Sequence, residues 1–313
     1  MNANAKRLLL SAALLMLTPL LAAAGNASGA HADKLTAAHV SVSSSDRQTE
    51  LAVHASGWIA EIAKQPGFKA WRGAQPEITA LGPGTHSWLV LVKQPTGAVI
   101  GYIVVQAVQE GGGYAIEEYG LGQYLYDEAT RKRGVAQATN GTEETSESVG
   151  SPLYLHPLLA VWKNKPAKGS ILLTDAMSGE SLPLTENQWL KLYKKEEQRS
   201  AALLSVVPPA AKLARAVSNS SFDPYGLLPW LTNAVPLSAD SNGKAIVRAL
   251  EEKRQIRYTS ERFDDKMRYV WSVTGFHRWE NNVVYAALES DDSETGKRFV
   301  PLALLTEFGA FYD

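Results

Sequence analysis

The fold is decided by three apolar runs: HSWLVLVK (86–93), AVIGYIVVQAV (98–108) and YAIEEY (114–119). The loops between them are short and contain Pro95, Gly97 and a run of three glycines, Gly111–Gly113. β-Branched and aromatic side chains suit a pleated, half-buried surface, and glycine provides the backbone freedom that tight reversals need. The stretch therefore predicts a three-stranded antiparallel meander.

An amphipathic helix is predicted just before the meander. Ser45–Gln48 resembles a capping box, with a hydroxyl at the N-cap and a glutamine three residues later. The apolar residues that follow recur at helical spacing, so the pattern predicts a helix from Ser45 to about Lys64, ended by Pro66-Gly67. A helix laid across an antiparallel sheet is an α+β arrangement. The predicted seam between the two layers consists of Trp58, Phe68, Trp71 and Trp88.

The composition changes after residue 130. Residues 131–152 are polar and lack aromatic side chains, which predicts an exposed linker. The predicted fold class is α+β, with two units of antiparallel sheet, each packed against helices, at 46–130 and 153–313. Within the linker, Arg131-Lys132-Arg133 is interpreted as a solvated basic cluster or as a protease-sensitive site.

The C-terminal unit shows its own helix and strand signals. Thr185–Gln188 is a second capping-box pattern that begins a helix, and Asp240 or Ser241 is predicted to cap another. The segment FDPYGLLPWL (222–231) is too apolar to be free in water, so we expect it to lie against a domain surface as an ordered irregular segment. The predicted strands are 255–260, 268–276, 282–289 and 298–301, followed by a short helix at 302–308.

The N-terminus has the features of an export signal. Lys6 and Arg7 precede an apolar run, Leu8–Ala24, and small-residue cleavage patterns follow at 22–24 and 30–32. This order predicts a cleavable secretory signal at 1–32 and a flexible leader at 33–45, with an uncleaved membrane anchor as the alternative. No second apolar run is long enough to cross a bilayer, so we expect a secreted or extracytoplasmic protein without a membrane span after signal removal.

Composition excludes several chemistries. The chain has no cysteine, which rules out a thiol nucleophile, a thiolate zinc site and a lipid-modified N-terminal cysteine. Its formal net charge of −1 gives no reason to expect nucleic acid or an anionic membrane as a partner. With only six histidines, and no phosphate-binding or nucleophile-elbow motif, the sequence predicts no metal and no cofactor.

The segment Ser170–Leu184 resembles the closing hairpin of PepSY-type modules. In that hairpin a strand ends in an Asp-Ala-x-x-Gly-Glu turn, represented here by Asp175, Ala176, Gly179 and Glu180. Modules of the PepSY and cystatin kind pack a helix on a small antiparallel sheet and serve as propeptide-like, inhibitory or protein-contact domains outside the cytoplasm. The resemblance implies a contact function and no catalytic residues.

The region Tyr269–Tyr312 is similar to the histidine-bearing half of secreted papain-like (C39-type) domains. The catalytic histidine of that pattern would open the first strand, where this chain has Arg268 or Tyr269. Since the chain also lacks cysteine, the resemblance implies the fold alone, as in a degenerate or substrate-binding descendant.

The candidate binding residues cluster near the predicted strand 268–276. Trp271, His277, Trp279 and Glu280 are candidates for the lining of a site, and the alternative is a surface turn with packed tryptophans. Among paired carboxylates, Glu117 and Glu118 are adjacent on a strand, so we expect them to point to opposite faces and not to act jointly.

These observations favour a non-enzymatic exported protein that binds another secreted protein or an envelope component. The first rival is an extracytoplasmic hydrolase with an acidic or serine-based site in the C-terminal unit. The second is a peptidase inhibitor that uses a hairpin loop such as Gln94–Gly97. A deep cleft that gathers carboxylates or a histidine with raised pKa would favour the hydrolase.

Overall fold

The predicted meander is present in the computed structural model as strands β2 (Ser87–Lys93), β3 (Val99–Ala107) and β4 (Tyr114–Leu121). Gly97 closes the first reversal with a φ of 89°, and its N–H donates to the carbonyl of Gln94 over 2.8 Å. Strand β1 (Gln75–Ala80), which the sequence did not predict, pairs antiparallel with β2. The structure describes residues 44–82, 85–108, 112–122, 124–141, 149–166, 169–237, 243–290 and 296–313.

Most strands belong to one large antiparallel sheet. The strands after the meander are β5 (Val149–His156), β6 (Leu159–Lys165), β7 (Leu172–Asp175), β8 (Leu213–Ser218), β9 (Ile256–Arg262), β10 (Met267–Trp279), β11 (Val284–Glu289), β12 (Lys297–Pro301) and β13 (Ala310–Tyr312). The order of the large sheet is β1-β2-β3-β4-β12-β11-β10-β9-β13, and β8 pairs with the second half of β10. A smaller sheet has the order β5-β6-β7.

The α+β class with antiparallel sheets packed against helices is confirmed, but the strands are distributed differently from the expectation. Leu121, Gly120 and Tyr119 of β4 pair with Lys297–Phe299 of β12. The two predicted units therefore share the large sheet, and all described residues belong to one compact unit. Sequence patterns show that a segment is a strand, whereas the choice of a pairing edge depends on distant parts of the chain.

The prediction of an exposed linker at 131–152 is wrong at both ends of that range. Helix α2 (Glu128–Ala138) begins at Asp127, whose carboxylate caps the Thr130 N–H at 2.8 Å, and β5 begins at Val149. The sequence pattern did not predict this helix because it buries few apolar side chains. Arg131 is buried against Glu128 and Asn164, which corrects its interpretation as part of a solvated cluster.

Helix α1 (Ser44–Ile62) and a 3₁₀ segment (Pro66–Trp71) cover one face of the large sheet. The predicted apolar stripe of α1 is buried, and Pro66 begins the 3₁₀ segment at the position where the helix was expected to stop. This core also contains Phe299 of β12. Of the four predicted seam aromatics, Trp58, Phe68 and Trp71 are buried and Trp88 is partly buried against them.

The other face of the large sheet has two coverings. The small sheet packs over the β2–β4 region through Tyr154 and Trp162, and helix α3 (Glu186–Ala201) covers the outer side of that small sheet. The predicted capping box at Thr185 and Gln188 is present. Helices α5 (Lys244–Glu251) and α6 (Leu302–Phe308) cover the β9–β12 region.

The apolar segment 222–231 is more exposed than expected. The short helix α4 (Pro229–Thr232) begins within it, and the side chains of Tyr225, Leu227 and Leu231 are 51%, 62% and 72% exposed. Exposed aliphatic side chains in a row are a common feature of contact surfaces.

Some predictions concern residues outside those that the structure describes. These are the signal peptide at 1–32, the leader up to residue 43, and the cap at Asp240 or Ser241. In the described part of the chain, Gly243 is the N-cap of α5. None of the described helices has the length and hydrophobicity that a membrane crossing requires.

Candidate functional site

The structure separates the four predicted site residues. Trp271 lies in the first half of β10 and lines a cleft. His277 and Trp279, from the second half of the strand, are buried in the aromatic core beneath α1. Glu280 is exposed after the strand, where its carboxylate accepts the Lys212 N–H at 3.2 Å. Only Trp271 therefore contributes to the cleft.

The contacts of His277 indicate a role in the packing of the core. Its Nδ1 shares a 2.8 Å hydrogen bond with the Tyr119 hydroxyl, and its ring stacks on Phe299 with centroids 4.2 Å apart. Burial lowers the pKa of His277 to about 3, and the positive charge of Lys297 adds to the effect. The imidazole is therefore neutral at physiological pH and has no access to a substrate.

The cleft has a volume of about 450 Å³, which is within the usual range for ligand sites. One wall is the first half of β10, with the adjoining ends of β11 and β12, and the opposite wall is the turn that follows β7. Tyr225 of the exposed apolar segment also lines it. The lining comprises Asp175, Met177, Ser178, Glu180, Tyr225, Lys266–Trp271, Leu288, Ser290, Gly296 and Arg298.

Three aromatic rings form a ladder along the β10 wall. Trp271 lies between Tyr269, at a centroid distance of 5.4 Å and an interplanar angle of 11°, and Tyr258, at 5.8 Å and 22°. Tyr269 and Trp271 are two residues apart on one strand, and Trp271 is the cross-strand neighbour of Tyr258. Tyr258 is fully buried, whereas Tyr269 and Trp271 are partly exposed. The ladder is thus buried in the core at Tyr258 and partly exposed in the cleft at Tyr269 and Trp271.

Three cations stand on the strand side of the cleft. Arg298 donates through Nε and Nη2 to Glu118 Oε2 at 2.9 and 2.7 Å, while its Nη1 has no acceptor among the described residues. Arg268 pairs with Glu261 and lies over the Trp230 ring at 4.3 Å. Lys266 has no ion-pair partner in the part of the chain that the structure describes. Arg298 is buried and fixed, so its position does not depend on a ligand.

Two carboxylates stand on the opposite wall, in the hairpin that resembles the PepSY turn. Asp175 Oδ1 accepts hydrogen bonds from the N–H groups of Met177 and Ser178 at 2.9 and 2.8 Å, so this oxygen holds the turn. Burial and the nearby charge of Asp175 raise the pKa of Glu180. Burial, together with the charges of these two acids, also raises the pKa of the Tyr269 hydroxyl.

The cleft continues into the exposed apolar segment, which we call the lip (residues 225–235). Tyr225 belongs to both, and Arg268 joins them by lying in the cleft and stacking on Trp230. The other large apolar side chains of the lip, Leu227, Leu231 and Val235, are among the most exposed of the described residues. Cleft and lip therefore form one continuous surface.

A second ionisable cluster joins three elements elsewhere. Glu196 of α3 accepts hydrogen bonds from His156 Nε2 at 3.1 Å and from Arg262 at 2.8 Å, and the Leu158 N–H donates to His156 Nδ1. Burial lowers the pKa of His156 to about 4. Both ring nitrogens are thus occupied, so His156 connects the small sheet to α3 and β9 and has no free nitrogen for catalysis.

The expected separation of Glu117 and Glu118 does not hold, because a β-bulge interrupts the pairing of β3 and β4 at these residues. Both are buried, and both carboxylates act electrostatically on the Tyr154 hydroxyl. Glu117 Oε1, Glu118 Oε1 and the Tyr154 oxygen have no hydrogen-bond partner among the described residues. Burial, with the charge of Glu118, raises the pKa of Glu117 to about 8, so its carboxyl is protonated at neutral pH.

Most of the cleft residues are not among the four predicted site residues. Met267, Tyr269 and Trp271 alternate along β10, and this period of two could have placed them on one face of the strand. The acids of the opposite wall lie about ninety residues away in the chain, and no local pattern joins them to β10. Among the described residues, no group of three or more histidine and acidic side chains is arranged to hold a metal ion.

Comparison of the chain with protein-family models, with curated proteins and with solved structures gives no match. The resemblances to PepSY-type and C39-type domains therefore stay predictions. The segment Ser170–Leu184 does fold as a hairpin, since the Leu182 N–H donates to the Leu173 carbonyl at 2.9 Å. Such a hairpin is common to many folds and identifies none of them.

Proposed function

We propose that this chain is an exported, non-enzymatic binding protein that contacts another protein through the cleft and the lip. The observation that carries the proposal is the continuity of a half-open aromatic cleft with a row of exposed apolar side chains. Monomeric proteins rarely leave large contiguous apolar surfaces exposed without a contact function. Polar and charged groups at the edges of the cleft give such a surface specificity.

The residue types in this surface are those enriched at protein interfaces. Tyrosine, tryptophan, methionine and arginine dominate the buried centres of interfaces and supply most of their binding energy. The chain has four methionines: Met1 and Met16 lie within the predicted signal, and the other two, Met177 and Met267, both line the cleft. Methionine side chains are flexible and polarisable, so they adapt to the shape of a partner.

The proposed location outside the cytoplasm is supported by the sequence of residues 1–32. A basic start, an apolar run and small residues at the end form the pattern of a secretory signal. The absence of cysteine means that the fold needs no disulfide in an oxidising compartment. The partner would then be a secreted protein or a protein of the cell envelope.

Capture of proteins from the secreted and wall fractions of the source organism tests the proposal. The immobilised protein should retain a defined set of proteins, and the double variant Trp271→Ala, Leu227→Ser should lose that set. Leu190→Ser is a matched control, because Leu190 is 52% exposed on α3, outside the cleft and the lip. Equal capture by the double variant, or capture of no protein by the unmodified chain, would overturn the proposal.

A glycosidase is the second candidate, because Asp175 and Glu180 share the cleft and the pKa of Glu180 is raised. A raised pKa suits a general acid. Glycosidases, however, use two carboxyl groups that flank the scissile bond, and both acids here belong to one turn. Against it, Asp175 Oδ1 is engaged by three donors of its own turn. Release of fluorophore from methylumbelliferyl glycosides, abolished by Glu180→Gln, would support this candidate, and no release would remove it.

A peptidase inhibitor remains a third proposal. The β2–β3 loop that would enter a peptidase has exposed residues at Pro95, Thr96 and Gly97. Titration against secreted peptidases tests it, and undiminished proteolysis at excess inhibitor would remove it.

A further inference from the structure

A β-bulge places two neighbouring carboxylates on the same side of β4. Ile116 and Tyr119 belong to the core beneath α1, and the register of β3 and β4 shifts at the residues between them. Glu117 and Glu118 therefore share the other side of the strand, where both carboxylates act electrostatically on the hydroxyl of Tyr154 in β5. They are 1% and 0% exposed, so both acids lie in the interior between the two sheets.

The two sheets meet at an apolar surface that we call the sheet interface. Both sheets contribute to it, with Leu89, Tyr102 and Val104 from the large sheet and Tyr154, Ala160 and Trp162 from the small one. Burial of apolar side chains holds such a surface together, whereas a charge that enters it without a partner is costly.

Glu118 and Glu117 have different partners at the sheet interface. Arg298 donates to Glu118 Oε2 at 2.9 and 2.7 Å and to the carbonyl of Pro157, in the β5–β6 turn, at 2.6 Å. Besides Glu118, the ionisable groups within electrostatic reach of Glu117 are tyrosines from four parts of the chain, Tyr126, Tyr154, Tyr193 and Tyr285. Glu118 is thus paired with a cation, whereas Glu117 is surrounded by neutral hydroxyls and a second acid.

The proton on Glu117 keeps the charges at the sheet interface balanced. Burial raises the pKa of Glu117 to about 8, with a contribution from Glu118 and an opposing one from the Tyr154 hydroxyl. Loss of this proton places a second negative charge beside Glu118, whose arginine is already bonded. A buried charge of this kind is relieved when water reaches it, which requires the two sheets to separate.

The same interface sets the position of the cleft walls. The turn after β7, which forms one wall, continues a strand of the small sheet, and β10, which forms the other, belongs to the large sheet. Arg298 lines the cleft and also joins the sheets, through Glu118 of β4 and the carbonyl of Pro157. A change at the acid pair is therefore transmitted to the cleft through one fixed arginine.

We infer that Glu117 is a pH-sensitive switch in the fold: loss of its proton loosens the sheet interface and separates the two walls of the cleft. The inference concerns the chain alone and does not rest on the proposed function. In the loosened state water solvates the carboxyl, and its pKa returns towards the ordinary value of 4.5. The equilibrium between the tight and the loosened state therefore shifts by at most about tenfold per pH unit from 4.5 to 8, and changes little above that.

The absence of cysteine from the chain allows a single introduced thiol to report on this opening. Ala160→Cys places it at the sheet interface, where residue 160 is 3% exposed and its carbonyl accepts the N–H of Ala176 in the cleft turn. Ala287→Cys is the matched control, because Ala287 is 1% exposed in the core beneath α1. Each full-length variant is labelled with methyl methanethiosulfonate between about pH 5.5 and 8.5, and its rate is divided by that of a free thiol peptide at the same pH.

The corrected rate at position 160 should rise with pH by up to about tenfold per unit and level off near pH 8, while position 287 reacts at least about tenfold more slowly. Glu117→Gln, which mimics the protonated acid, should remove the rise, whereas Glu77→Gln, at a half-exposed acid of β1, should keep it.

Three results would overturn the inference. One is a corrected rate at position 160 that changes less than about twofold over the whole range, which the chain with Glu117 in place is sufficient to show. Another is equal rates at positions 160 and 287, because the whole molecule would then unfold together. The third is a pH dependence that persists in Glu117→Gln.

Discussion

The two halves of β10 carry similar residues and have opposite surroundings. His277 and Trp279 lie under α1 and the 3₁₀ segment and are sealed in an aromatic core. Tyr269 and Trp271 lie in the first half of the strand and border a cleft. The difference arises from what covers each half, because α1 and the 3₁₀ segment lie over the second half whereas the residues of the first half line the cleft. Aromatic residues in one strand therefore form part of the core at one end and border a cleft at the other.

Trp279→Ala should have the largest effect on stability. Trp279 has no exposed surface, and truncation of a buried tryptophan costs about 3–5 kcal/mol through lost burial and the cavity left behind. Urea unfolding followed by circular dichroism measures the change. A loss below about 1 kcal/mol would contradict the description of this half as sealed.

Glu117→Gln tests the buried acid that lies between the two sheets. The pKa of Glu117 is about 8 in the folded protein, above its ordinary value of 4.5, so the folded state holds the proton more tightly. The stability that this group contributes is present below pH 4.5 and is lost as the pH rises to about 8, by at most ~1.4 kcal/mol per pH unit. Unfolding of both proteins from pH 4.5 to 9 should show the variant gaining stability relative to the parent chain.

His277→Gln tests the buried base on the sealed face, with the opposite sign. The pKa of His277 is lowered from 6.5 to about 3 in the folded protein. Between pH 6.5 and 3 this imidazole is therefore protonated in the unfolded chain and neutral in the folded protein. Stability from this neutral imidazole is therefore lost as the pH falls from 6.5 towards 3, again by at most ~1.4 kcal/mol per pH unit. The variant should lose less stability over this range, and identical acid profiles would show that His277 titrates normally.

Trp271→Ala should have the smallest effect on stability, about 1–2 kcal/mol, because Trp271 is already partly exposed and loses mainly its stacking with Tyr258 and Tyr269. Its effect on partner capture should nevertheless be large. Comparison of the free energies of unfolding of Trp271→Ala and Trp279→Ala tests the difference between the two halves of the strand. Equal losses of stability from the two variants would remove that contrast.

Much of the fold could be predicted from local patterns. Alternation and turn residues located the meander, the helical spacing of Leu51 to Ile62 located α1, and Thr185 and Gln188 marked the start of α3. Helix α2 could not be found in this way, because it packs through Gly134 and the buried side chain of Arg131 and has no apolar stripe. A Cβ at Gly134 would lie 2.2 Å from the Gly179 carbonyl oxygen, so this close approach depends on a residue that carries no hydrophobic signal.

The candidate site was predictable only in part. Trp271 was chosen because it lies among aromatic residues on a predicted strand, but the same reasoning selected His277 and Trp279, which are core residues. Residue type does not distinguish a covered aromatic side chain from an open one. That distinction requires knowledge of where β11 ends and which loop lies opposite.

The sequence by itself determined the meander, most of the strands from residue 255 onward and most of the helices. It also determined the composition that excludes cysteine chemistry and the pattern typical of an exported chain. These depend on neighbouring residues, whose spacing fixes which side of an element is apolar. Only the tertiary structure decided that β4 pairs with β12 and that the β7 turn and the first half of β10 line one cleft. These features depend on packing between residues far apart in the chain. The free energy of burial is summed over the whole molecule, so no local sequence pattern predicts them.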